Sequence, residues 1–168
     1  MKHRYEDIYD ELREVVPELE LGLWPPEEEP NWQREMDNAG QPLSEEDKAY
    51  LHSIEANNPQ PKKIESPLIY IHFEDELRPL LISYCQQPKK FARLATIMDW
   101  LEELARDGDW DTSNLVAIAI CEGFIGNDSA CIPQLLPFMG ATMRQMCRDL
   151  IPNFRVDEKI KALLASSN

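Results

Sequence analysis

The sequence predicts an all-α protein, a bundle of antiparallel helix pairs with a HEAT-like alternation between residues 90 and 150. Three observations predict it. Apolar residues recur at three- and four-residue spacing over most of the chain. Only one short stretch, 68–73, has strand character. The breaks between periodic segments are short, as in helix–helix connections. At 168 residues the chain is read as one domain with a real hydrophobic core, without need of disulfides or metals. No fixed sequence period establishes a repeat.

In chain order, residues 3–16 read as a helix with Tyr5, Ile8, Tyr9, Leu12, Val15 and Val16 on one face, stopped by Pro17. Residues 18–43 are irregular. Ser44 caps a helix that runs to about Ala56, with Glu45, Glu46 and Asp47 in its first turn. "NNPQPKKIESP", residues 57–67, is a connector. Residues 68–73 form a short strand or an extended lead-in, and Pro79 makes the next helix begin or bend near Arg78. Pro88 to Arg106 is the clearest helix, with Phe91, Leu94, Ala95, Met98, Leu101, Leu104 and Ala105 on one face. Gly108 ends it. Asp111 or Thr112 caps the following helix, which is apolar almost all round and so belongs at the centre of the core. A helix over 129–148, broken at Pro133 or Pro137, and a last one over 156–165 complete the body.

Charge divides the chain unevenly. It carries 31 acidic residues against 17 Lys plus Arg, a net of −14. Sixteen of the acids and only five of the bases lie in residues 1–61, an acidic N-terminal arm; residues 62–168, the helical body, are nearly balanced. Such a chain is repelled by nucleic acid and by anionic membranes and is drawn to basic partners. The N-terminus lacks an apolar signal region and no run of about 18 apolar residues occurs, so the expected location is the cytoplasm. Cys85, Cys121, Cys131 and Cys147 have no C-x-x-C spacing and read as reduced, mostly buried thiols.

Sites for chemistry are sparse. His3, His52 and His72 have no partners at ligand spacing, and "ARDGDWDTSN" lacks the order of a calcium loop, so neither a metal nor a cofactor is expected. No G-x-S-x-G, phosphate-cradling glycine loop or basic stripe is present. Asp99, Glu102 and Glu103 read as the solvated face of a helix rather than an acid–base cluster. The protein is therefore read as a non-enzyme.

What remains is recognition. "LGLWPPEEEPNW" places Trp24 and Trp32 about Glu27, Glu28 and Glu29 on a proline-stiffened segment. Proline lowers the entropy lost when such a segment is immobilised, and tryptophan is enriched at interface hot spots. The rings either contact a partner or pin the segment to the protein's own core. "DGDWDTSN" is a second candidate: Asp107 and Asp109 flank Trp110, and neither carboxylate has an evident local role.

"SPLIYIHFEDELRPLL", "FARLATIMDWLEELARDGD" and "NLVAIAICEGFIGN" occur in that order over residues 66–127. This body resembles a bacterial helical domain found among small immunity proteins of toxin–antidote systems. Phe91, Leu94, Gly108-Asp109, Asn114 and Phe124-Ile125 stand at the places of its pattern. The resemblance implies a binder with no catalytic residues. The expected function is thus an immunity protein that occludes the basic cleft of a cognate toxin. The alternative is an acidic DNA mimic that inhibits a nucleic-acid-binding protein. The oligomeric state is left open.

Overall fold

The computed structural model describes residues 2–21 and 68–166. Residues Met1–Leu21 and Ser66–Asn168 belong to one compact unit. The helix expected over 44–56, and Trp24, Glu27, Glu28, Glu29 and Trp32, lie outside the described residues.

The fold is all-α. Helix α1 is Ile8–Val15, preceded by a 3-10 turn at Tyr5–Asp7. A continuous helical run, α2, comprises Leu68–Ile71, His72–Leu77 and Arg78–Cys85. Helix α3 is Phe91–Asp107. A second continuous run, α4, comprises Trp110–Leu115, Val116–Glu122 and Gly123–Gly126. Helices α5 (Ile132–Leu135), α6 (Ala141–Leu150) and α7 (Glu158–Ser166) follow. Short turns make α2, α3 and α4 successive antiparallel neighbours, and α6 packs against α3 and the middle of α4.

Several expectations are corrected. Residues 68–71 are helical rather than extended. Ile69, Phe73, Leu77 and Leu81 are all buried at four-residue spacing, and that period outweighs the β-prone composition of "PLIYIHF". Nor does the helix begin at Arg78. His72–Leu77 widens into a π-helix, so that the Arg78 N–H reaches the Phe73 carbonyl five residues back. The widened turn directly precedes Pro79, which has no N–H to give, and the helix runs through it. The first helix starts later than residue 3, because His3 lies in extended backbone bridged to Gly108. In α3 the buried stripe is wider than expected and includes Ile97 and Trp100, while Phe91 is partly exposed against Phe138.

Of the three α3 carboxylates read as a solvated face, Asp99 is exposed as expected, but Glu102 and Glu103 hold partners. Glu102 accepts hydrogen bonds from the Thr142 and Met143 N–H groups at 2.7 and 2.9 Å. It thereby caps α6, which begins after Gly140 and lacks a side-chain cap of its own. Such a cap is worth about 1–2 kcal/mol. Glu103 pairs with Lys2. Gly140 permits the Glu102 arrangement, since a Cβ there would lie 2.5 Å from the carboxylate oxygen Oε2.

Helix α1 belongs with the body. Ile8, Leu12 and Val16 are fully buried, and Arg93 of α3 clamps the end of the segment. Its guanidinium donates to Glu18 at 2.6 and 2.7 Å and to the Val15 carbonyl. The Arg93 hydrogen bonds hold the Glu18 carboxyl down at about 2, below its ordinary 4.5. A carboxylate depressed in the folded state stabilises above its unfolded pKa and loses that contribution as pH falls through the folded one. Docking of residues 5–19 should therefore weaken between pH 4.5 and about 2. Amide signals of α1 followed by NMR should broaden in that window, and Arg93→Ala should remove the transition.

Candidate functional site

The corner between α3 and α4 is built from "RDGDWD". Gly108 is extended, at φ −71° and ψ 167°, and glycine is required by space rather than by conformation. A Cβ would lie 2.5 Å from the Leu104 carbonyl oxygen and 2.7 Å from Thr112 Cγ2. Asp109, rather than Asp111 or Thr112, is the N-cap of α4: its Oδ1 accepts from the Thr112 N–H at 2.8 Å. Its Oδ2 accepts from the Tyr5 N–H at 3.0 Å. Burial works to raise the Asp109 pKa, but these backbone donors outweigh it and hold the carboxyl below its usual range.

The N-terminal segment docks on this corner. Lys2 N–H donates to the Asp107 carbonyl and Asp109 N–H to the His3 carbonyl, both at 3.1 Å. His3 is buried beneath the corner. Its Nδ1 lies 2.8 Å from Glu11 Oε2, which also accepts from the Trp100 indole at 3.2 Å. Asp107 is bound by its neighbour: Arg106 donates to both of its oxygens, and that hydrogen bonding holds its carboxyl low. An open depression lined by Lys2, Arg106, Asp107 and Gly108 lies on this side of the corner.

Asp107 and Asp109 thus have local structural partners that the sequence did not reveal. Trp110 has none of this kind: its side chain stands 77% exposed on the first residue of α4. It heads a stripe. Trp110, Asn114 and Ile118 recur every four residues, and Ile118 is 40% exposed. The Asn114 amide donates to the Tyr70 hydroxyl at 3.3 Å, which brings the start of α2 alongside. Ile71, next in sequence, is 48% exposed, and Tyr5 packs against Tyr70 with ring centroids 6.3 Å apart. The outcome is a surface made by α4 and α2, with the Trp110–Asn114–Ile118 stripe roughly 12 Å long on α4 and Tyr70 against it. Exposed Asp111, Glu74 and Asp75 and half-buried Glu122 belong to its two helices.

Reading the sequence missed Tyr5, Tyr70, Ile71, Asn114 and Ile118. The four-residue spacing from Trp110 was the available signal, but an all-round apolar helix was expected to bury Ile118. Among the described residues, no three His, Cys, Asp or Glu side chains converge as a metal site. No single helix among them is long and apolar enough to cross a membrane.

Residues 9–154 match the model of the family described as "Domain of unknown function (DUF7674)". The chain belongs to the DUF7674 family. The match runs from the second residue of α1 to Phe154, so Gly108, Asp109 and the Trp110–Ile118 stripe lie within the DUF7674 domain, whereas Lys2, His3 and Tyr5, which dock on the corner, precede it. No curated protein and no solved structure matches the chain.

Proposed function

We propose that this protein is a non-enzymatic binder, an immunity protein that occludes the basic cleft of a cognate bacterial toxin. The observation that carries this reading is Trp110. A tryptophan 77% exposed, on a corner fixed by a glycine contact, an N-cap and a docked N-terminus, is a preorganised anchor. Ile118, two turns along α4, extends its apolar area, and the carboxylates of α2 and α4 favour a cationic surface opposite. The chain's net charge of −14 adds long-range attraction that speeds encounter. Glu27, Glu28 and Glu29 contribute to that field from the sequence alone, and Trp24 and Trp32 remain proposed contacts.

A DNA mimic needs a ridge of carboxylates left free to imitate phosphates. Glu18, Glu102, Glu103, Asp107 and Asp109 are each held by the protein's own groups, which favours the immunity reading.

The test is to mix the protein with the toxin encoded beside it. A complex should form at low salt, and its association rate should fall as ionic strength rises. Reversing the charges of Glu27–Glu29 should slow association. No complex at low salt would remove this function.

A further inference from the structure

The four cysteines, dispersed in sequence, meet in two pairs. Cys121 of α4 lies against Cys147 of α6, both fully buried. Cys85, the last residue of α2, lies beside Cys131, which immediately precedes α5. Access separates the pairs. Cys131 is half-buried, whereas Cys85 is 3% exposed and Cys121 and Cys147 are sealed.

The packing of α5 on the Arg78–Cys85 stretch agrees with the second pairing. The Arg78 Nε lies 3.3 Å from Asp128 Oδ2 at the start of the Arg78–Cys85 stretch. The chain then passes through the turn Ser129–Cys131 into α5, which packs on that same stretch. Seven residues of helix rise about 10 Å. Three residues of turn together with the reach of an arginine side chain cover that span, so the chain is long enough to bring Cys131 to the end where Cys85 sits. The Cys85 thiol donates to the Ile82 carbonyl at 3.1 Å, a local bond it can give up.

We propose that Cys131 and Cys85 form a hydroperoxide-responsive dithiol, oxidised to an intramolecular disulfide that joins the end of α2 to the start of α5. The inference stands apart from the partner-binding reading. The roles follow from access. The Cys131 thiolate attacks the O–O bond of the peroxide and takes one oxygen as a sulfenic acid; the other oxygen leaves, with a proton, as water or an alcohol. The Cys85 sulfur then attacks Cys131, the S–S bond forms, and hydroxide departs with the Cys85 proton as water. In sum, two thiols give up two protons and two electrons, and one hydroperoxide is reduced to water and alcohol, or to two waters. Burial, followed by the neighbouring Cys131, pushes the Cys85 thiol up, so that it waits protonated as the resolving partner. Cys121 and Cys147 have no path to oxidant while the protein is folded.

The experiment treats the folded, full-length protein with hydrogen peroxide, unfolds it in an alkylating agent, and reads intact mass and a non-reduced peptide map. The expected result is loss of two hydrogens, a peptide cross-linked between Cys85 and Cys131, and two alkylated thiols at Cys121 and Cys147. Cys85→Ser should instead accumulate a dimedone-trapped sulfenic acid on Cys131, and Cys131→Ser should abolish the reaction. Wild-type protein that carries sulfinic acid on Cys131 without the cross-link would overturn the proposal. So would a cross-link through another cysteine or between two chains, or no oxidation at a peroxide dose that oxidises the unfolded chain.

Discussion

Gly108→Ala should destabilise the protein by about 3 kcal/mol and lower Tm by roughly 6–12 °C. The new methyl group meets the Leu104 carbonyl oxygen at 2.5 Å and Thr112 Cγ2 at 2.7 Å. The first is backbone, fixed because that carbonyl accepts the Gly108 N–H at 3.1 Å. The second belongs to a fully buried side chain whose own N–H is held by Asp109. Neither can retreat without opening the corner, and the backbone angles of Gly108 suit alanine, so the whole effect is steric. Because the N-terminal segment hangs on this corner, the variant should also lose amide protection at Tyr5. Thermal unfolding with hydrogen exchange measures both. A Tm within about 2 °C of wild type, which corresponds to less than about 1 kcal/mol, would show that the corner yields easily.

Gly123→Ala should cost about 2–3 kcal/mol, and its effect should depend on Arg78. The Arg78 side chain lies across Gly123, and an added Cβ would be 2.5 Å from both its Cδ and Cζ. There the guanidinium donates to the Ala119 carbonyl at 3.3 Å and faces Asp128 and Glu74, at 3.3 and 3.7 Å, with its side chain 12% exposed. Alanine displaces it and strips the Ala119 carbonyl of this donor. In an Arg78→Ala background the same methyl enters vacated space within a helix, where alanine is preferred to glycine by about 1 kcal/mol. Denaturant unfolding of the four proteins in the cycle should show a penalty that vanishes or reverses. An equal penalty in both backgrounds would mean that something other than Arg78 is displaced.

The helices were legible because period is local. Residues 88–106 announce themselves by spacing and the helix after Asp111 by its all-round apolar run, and the all-α class follows from them. What the sequence concealed are contacts between residues far apart in it. Asp109 looked surplus because its second partner, the Tyr5 N–H, is about a hundred positions away. Glu102 looked solvated because the helix it caps begins about forty residues later. The cysteine pairs were hidden for the same reason. Residues 68–73 are helical, against the short strand or extended lead-in that their composition predicts, because burial of Ile69, Phe73, Leu77 and Leu81 at four-residue spacing outweighs it. At the site, Trp110 was picked out by type and surroundings, whereas the stripe below it needed the Asn114–Tyr70 contact to place α2 beside α4.

The central claim is that Trp110 anchors a cationic protein partner. Its most direct test is the affinity of wild type and Trp110→Ala for the proposed cognate toxin, measured by calorimetry at fixed salt. The variant should bind at least about 30-fold more weakly, a loss of about 2 kcal/mol or more, with Tm unchanged because the indole is 77% exposed. Equal affinity for the two proteins would contradict it.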